Sequence, residues 1–485
     1  MKIKLDKSNH PIESNISLIS RRSFFKLFGA GTAASAMYGC GTKTSKTSES
    51  QSGSRTDEPP KDKMTCRSNP NTGDTVSLLG YGCMRFPTRK KEGSEEEEID
   101  QELVNQLIDY ALAHGVNYFD CSPRYIQGMC EGATGRALAR HPRNKFFIAT
   151  KMSNFDPEKQ KRENSIKMYR NSFKELQVDV IDYYLLHSIG GGGMANFNAR
   201  FIDNGMLDFL KEEREKGTIR NLGFSFHGDV EVYDEMMRWH DEGKVHWDFV
   251  QIQLNYVDWQ NLNNNKSTDA HYLYDELHRR GIPAVIMEPL LGGRLATLPQ
   301  YLFLQLKTRR PEESAASWAF RFAGTPDGVL TVLSGMTAME HLQNNLWSYS
   351  PLEHIDKQED ELLAEIAKEY QKYPLVACTN CQYCMPCPYG LNIPGVFMYY
   401  NKCVNEGSVP SSSQDKNYRK LRRNFLVGYD RALESIRQAD HCINCNKCVP
   451  KCPQRIRIPR EMRRINDFVE MLKQGKDFGE ASGQK

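Results

Sequence analysis

Val116-Asn117-Tyr118-Phe119-Asp120-Cys121-Ser122-Pro123-Arg124-Tyr125 is the stretch on which the reading of this chain turns. Residues 116–120 form a short, mostly apolar run of strand type that ends on a carboxylate, and a proline turn follows. The same form, an apolar run closed by a polar side chain, returns at 145–151, ending on Lys151, and at 178–187, ending on His187. Working outward, runs at 78–86, 221–226, 249–256, 283–290 and 329–335 complete eight strand candidates. Helically spaced apolar positions lie between them, as in Ile99, Leu103, Leu107 and Ala111. A β, α, β, α alternation demands a parallel sheet, and eight repeats favour a closed (β/α)8 TIM barrel over an open doubly wound sheet. Gly190 to Gly193 then read as a flexible loop on the rim where barrel chemistry is found.

The 485 residues have room for such a barrel and a second, smaller domain. With 64 Lys+Arg against 61 Asp+Glu the net charge is only +3, which gives no electrostatic case for nucleic acid, so a small-molecule site is expected. Residues 1–40 read as a targeting segment and 41–64 as a Ser/Thr/Lys-rich flexible tether. The barrel is expected over 65–352, a connecting helix over 353–374 and a mostly α-helical domain over 375–485. Ser20-Arg21-Arg22-Ser23-Phe24-Phe25-Lys26, followed by a Gly/Ala-rich run, resembles a twin-arginine export signal, which implies export in a folded state to the periplasm. Cys40 offers a lipidation site and with it the one expected membrane attachment, although Met37 and Tyr38 fit a lipobox poorly.

Four polar residues fall at or just past strand ends: Asp120, Tyr125, Lys151 and His187. Hydride delivery to a carbonyl creates an alkoxide, so such a site needs a proton donor and fixed positive potential beside that oxygen. Tyr125 would be the donor, its pKa lowered by the Lys151 ammonium; Asp120 would pair with Lys151, and His187 would position the carbonyl oxygen. In identity and order these four residues resemble the tetrad of the aldo/keto reductase family, over about residues 70–350. The resemblance implies reduction of an aldehyde, ketone or sugar carbonyl with NADPH or NADH. It implies nicotinamide contacts at Ser225 and Gln251, a ribose-contacting turn at Gly82, Cys83 and Met84, and a pyrophosphate loop at Pro289, Leu290, Gly292, Gly293 and Leu295. Ser334, Gly335 and Asn345 fall in the last nucleotide segment, with Asn345 the adenine contact. Where many relatives place bases against the 2′-phosphate stand Gly335 and His341, so NAD fits as well as NADP. The rival reading is an electron-transfer or binding protein on a catalytically silent barrel.

Two cysteine runs dominate the C-terminal part: Cys378, Cys381, Cys384, Cys387-Pro388 and Cys442, Cys445, Cys448, Cys452-Pro453. Three cysteines two residues apart can wrap a cubane, and a closing Cys-Pro is the bacterial ferredoxin pattern for paired 4Fe-4S clusters. Zinc, the rival, seldom uses three thiolates in such tight succession. The first run is one residue short before its last cysteine, which leaves exchange of fourth ligands open. In the exchanged arrangement Cys378, Cys381, Cys384 and Cys452 hold one cluster, and Cys442, Cys445, Cys448 and Cys387 the other. Helices are expected over 393–403 and 418–437, and Cys66, Cys83, Cys121, Cys130 and Cys403 read as packing residues. A hydride carries two electrons and a cluster one, and no flavin signature is visible; the clusters either serve an external redox partner or brace their domain.

Overall fold

The structure is a computed structural model and describes residue 55 and residues 57–94, 97–262, 268–410 and 412–475. The expected signal segment, Cys40 and most of the tether lie outside the described residues.

Eight parallel strands close a barrel: β1 (Leu79–Gly82), β2 (Tyr118–Asp120), β3 (Phe147–Met152), β4 (Ile181–Gly190), β5 (Ile219–His227), β6 (Phe249–Gln253), β7 (Ala284–Met287) and β8 (Val329–Ser334). Each strand lies beside its successor, and β8 returns to β1 through Val332 opposite Leu79 and Ser334 opposite Tyr81. Closure leaves no free edge, so every strand is hydrogen-bonded on both sides. Several strands are shorter than their apolar runs because the chain turns at once; after β1, Cys83–Arg85 already form a 3-10 turn.

Gly190 to Gly193 are not a loop throughout. β4 continues to Gly190, which pairs with His227 of β5, and a short helix starts at Gly193.

Large side chains such as Tyr118, Tyr183 and Phe249 fill the barrel interior. An antiparallel hairpin, Cys66–Ser68 with Thr75–Ser77, seals the N-terminal end. There Asn69 donates to the Tyr183 hydroxyl (3.0 Å) and to Asn221 (3.2 Å), and Val76 joins the interior packing. The opposite, C-terminal rim carries the strand-end side chains Asp120 and Lys151 and, farther on, His187. One of the cysteines expected to pack is corrected: Cys66 is exposed on the hairpin, whereas Cys83, Cys121, Cys130 and Cys403 are buried.

The helix Lys357–Tyr370 begins with a capping box, Asp356 with Glu359, and sends Leu363, Ile366, Ala367 and Tyr370 into the barrel's own core. Glu359 there bonds Arg321 (2.7 Å) and Arg310 (2.5 Å). Beyond it, Ile393–Asn405, Tyr418–Ala432 and Ile458–Gln474 pack as three helices around Val396, Phe397, Phe425, Met462 and Ile465. The second of them ends before the expected residue 437, because Leu433 turns out of the helix to enter this core.

Candidate active site

Asp120 ends β2, Lys151 lies in β3 and His187 in β4, so three neighbouring strands raise three polar side chains to one rim. Tyr125 follows β2 in the turn Tyr125–Gly128, where Ile126 (φ 48°) and Gln127 (φ 54°) take left-handed backbone. The Lys151 ammonium lies 2.5 and 2.6 Å from the two Asp120 oxygens and 3.0 Å from the Cys121 carbonyl. These bonds occupy all three of its protons. Burial pushes the Asp120 carboxyl up from its usual range, and Lys151 pulls it back. The Tyr125 ring stands edge-on to His187 at 5.8 Å.

The expected electrostatics of Tyr125 need correction. Lys151 sits 5.2 Å from the centre of the Tyr125 ring, and no hydrogen bond joins ammonium to phenol. Burial pushes the phenol well above its ordinary value, and Tyr383 and Asp120 push it further. The sequence shows a lysine nearby but not that its protons are already engaged.

His187 is held at both ring nitrogens. Nδ1 faces the Ser153 hydroxyl at 2.5 Å and Ser122 at 3.4 Å, and Nε2 faces the Tyr383 hydroxyl at 3.0 Å. Burial, followed by the Lys151 and Arg200 charges, holds the imidazole well below its usual pKa, so it is neutral. Arg200, 1 % exposed, donates to the His187 carbonyl (2.6 Å), while its guanidinium lies 4.6 Å from the centre of the Phe155 ring.

The nucleotide candidates gather at the same rim with unequal fitness. Gln251 is buried and its Oε1 has no partner among the described residues. Ser225 Oγ accepts from the Ser188 amide (2.7 Å), which leaves its own proton to donate. A buried acceptor and a free hydroxyl proton together complement a carboxamide. Gly82 lies against the Ser334 backbone, and Ser334 Oγ accepts from Asn345 (2.9 Å). Gly335 lies under the Arg85 side chain. Met84 and Leu290 are half-buried and Gly293 is exposed. The Cys83, Pro289 and Leu295 side chains are buried, Cys83 and Leu295 packing into the core, so the turn and the loop offer their backbone at these positions. Gly292 (φ +68°) is faced by Thr379 of the first cysteine run, close enough that a Cβ would stand 2.4 Å from its Cα.

The cysteines divide into two groups. Cys378, Cys381, Cys384 and Cys452 line one small cavity walled by Ile393, Phe397 and Ile456. Cys448 is in electrostatic reach of Cys442, Cys445 and Cys387. The first group follows the exchanged arrangement. The loops share a backbone pattern, with left-handed φ at Asn380 and Gln382 in one and at Asn444 and Asn446 in the other. The Asn380 amide points at Cys378 sulfur (3.4 Å), as amides do toward cluster thiolates. Burial pushes the Cys381 thiol up to about 12, a cost that bound iron would offset. Among the described residues no three His, Cys, Asp or Glu converge tightly enough for a single ion; a cubane spreads its four thiolates around a larger body.

The aldo/keto reductase family model matches residues 78–368, more than half of the chain. The chain belongs to the aldo/keto reductase family. A model of the 4Fe-4S dicluster domain matches residues 377–458 of this reductase. "Protein tas" of Escherichia coli is 32% identical over 184 residues, covering 32% of this chain and 50% of that protein. The chain thus spans about half the length of that relative. L-galactose dehydrogenase of Arabidopsis thaliana is 23% identical over 323 residues, 63% of this chain and 93% of the plant protein. Among solved structures, aldo-keto reductase AKR11C1 from Bacillus halodurans in its holo form aligns with a TM-score of 0.49 at 20% identity, over 62% of this chain and 96% of that one. This member of the aldo/keto reductase family thus joins its barrel to a 4Fe-4S dicluster domain.

Sequence reasoning missed Ser153, Arg200 and Tyr383. Ser153 was within reach, since it stands two residues beyond Lys151 and shares its face of the strand direction. Arg200 and Tyr383 reach the site only through tertiary docking.

Proposed function

We propose that the barrel reduces the carbonyl of an aldehyde, ketone or open-chain sugar by hydride transfer, using NADH or NADPH. A bound dihydronicotinamide supplies the hydride. The observation that carries this reading is the complement of Gln251 Oε1 and the Ser225 hydroxyl to a carboxamide, in the same barrel as the buried Asp120–Lys151 pair. Burial raises the Tyr125 pKa and so favours the protonated phenol, and an alkoxide is basic enough to take that proton. The Lys151–Asp120 pair fixes charge close to the phenol ring, and neutral His187 orients the carbonyl. The names of L-galactose dehydrogenase and of D-arabinose 1-dehydrogenase from Saccharomyces cerevisiae favour the sugar arm. The test is anaerobic purification and a nicotinamide-oxidation screen across aldehydes, ketones and sugars. Turnover in the native chain that Tyr125→Phe abolishes supports the reading; turnover equal in both, or none with any carbonyl, defeats it.

The two cysteine groups are read as seats of two 4Fe-4S clusters that exchange electrons with an external redox partner. Exposure favours this: Cys445 is exposed, and Ile443 and Ile436 beside the second group are 59% and 67% exposed. If Cys445→Ser leaves carbonyl reduction at full rate, the clusters lie outside its electron path. The twin-arginine-like segment supports export to the periplasm, with a lipid on Cys40 as the membrane attachment; fractionation of cells expressing Arg21→Lys/Arg22→Lys, expected to retain the protein in the cytoplasm, tests that.

A further inference from the structure

The first cysteine loop lies on the barrel rim and is tied there at several points. Arg85 donates to the Thr379 carbonyl (2.6 Å), and Thr379 packs on Gly292, where any side chain would collide. Farther round, Gln454, two residues past Cys452, donates to Gln253 at the end of β6 (3.0 Å), and Arg455 pairs with Asp229. Between Cys381 and Cys384 the loop carries Tyr383. Its ring leans on Phe155 and on His187, each 6.2 Å between centres, and its hydroxyl stands 3.0 Å from His187 Nε2. Its backbone runs directly into Cys384, and its amide lies near enough to the Cys381 sulfur to favour the thiolate. A single residue therefore touches a cluster ligand at one end and the imidazole of the candidate active site at the other.

We propose that Tyr383 is a positioning residue of the reduction site, contributed by the loop that seats the first cluster. The neutral imidazole has one donor and one acceptor nitrogen, and its partners decide which is which. Ser153 can pass its proton to the Lys151 carbonyl (3.5 Å), accept from Nδ1–H, and so turn a lone pair toward the Tyr383 hydroxyl; the opposite tautomer turns an N–H toward the same oxygen. In either state Tyr383 holds the ring plane; in the tautomer in which Ser153 donates to Nδ1, Nε2–H is the donor a carbonyl oxygen needs, and the Tyr383 hydroxyl and the Phe155 ring stand beside it. The carbonyl pocket is thus composite, its floor built by the barrel and its roof by the cluster loop. An intact first cluster becomes a condition for an ordered His187.

The proposal rests on the carbonyl-reduction reading, and its test separates the two. Full-length, cluster-loaded protein is prepared anaerobically as native chain, Tyr383→Phe and His187→Gln. Visible absorbance confirms cluster content. Paramagnetic-resonance redox titration without substrate is the first readout: both substitutions are expected to shift the signal or midpoint of the first cluster and leave the second unchanged, because hydrogen bonding near the sulfurs tunes a cluster. The second readout is reduction of 4-nitrobenzaldehyde, where Tyr383→Phe is expected to lower kcat about tenfold, the worth of one hydrogen bond to a working group, with nucleotide KM unchanged. Native cluster signals in both variants, or native kcat and carbonyl KM in Tyr383→Phe, overturn the proposal. A shifted first cluster in a protein that reduces no carbonyl upholds the Tyr383–His187 link and removes the reduction reading instead.

Discussion

Lys151 and Asp120 are joined by both carboxylate oxygens at 2.5 and 2.6 Å, with neither residue more than 3% exposed. A pair so closed is sensitive to the loss of one member far more than to the loss of both, since a lone buried charge has nothing to offset its desolvation.

Lys151→Met is therefore expected to destabilise the barrel by about 3–5 kcal/mol, and Lys151→Met with Asp120→Asn to recover most of that loss. Neither variant is expected to regain activity, with turnover down at least about a hundredfold. Urea unfolding and steady-state rates measured on the same preparations check both halves; a double variant no more stable than the single one contradicts the buried-pair account.

Tyr125 should give no alkaline break in kcat/KM below its ordinary pKa of 10.0, because burial moves its deprotonation upward. A pH–rate profile of the native enzyme is then flat on that side. An alkaline break near neutrality traced to Tyr125 would show instead that the lysine does lower the phenol's pKa.

Glu131 is buried against the Thr150 hydroxyl (2.5 Å), and burial pushes its carboxyl from 4.5 up to about 7. The folded state holds this proton more tightly than the unfolded chain, so the contribution to stability is complete below pH 4.5 and falls away as pH rises to about 7. The span corresponds to about 3 kcal/mol. Glu131→Gln should flatten this part of the stability-versus-pH curve; an unchanged slope in the variant contradicts it.

Cys452→Ala and Cys387→Ala distinguish exchanged from sequential ligation. With Cys452 grouped beside Cys378, Cys381 and Cys384, its loss should remove the first cluster's resonance and also disturb the barrel site, whereas Cys387→Ala should remove the second cluster's alone. The reverse pattern would mean each run keeps its own cubane.

Much of the fold could be read in advance because strand and helix periods leave a direct imprint on apolar spacing: Phe147–Met152 and Ile181–Gly190 are visible as strands in any window. The candidate site was half visible. Asp120, Lys151 and His187 were locatable because strand ends fix the rim, and the cysteines because ligand spacing is local. The state of Tyr125 was not, since it depends on where three ammonium protons go. Tyr383 stands 196 positions from His187, and nothing in a ligand loop announces which barrel atom its aromatic residue will meet.

The hairpin stoppers the barrel below Tyr183. At the other end the cysteine loops lie against the rim, through Thr379 on Arg85 and Gln454 on Gln253. If clusters seat in those loops as proposed, their oxidative loss would loosen the loop that carries Tyr383, and a change in the His187 site would accompany the fading of cluster absorbance.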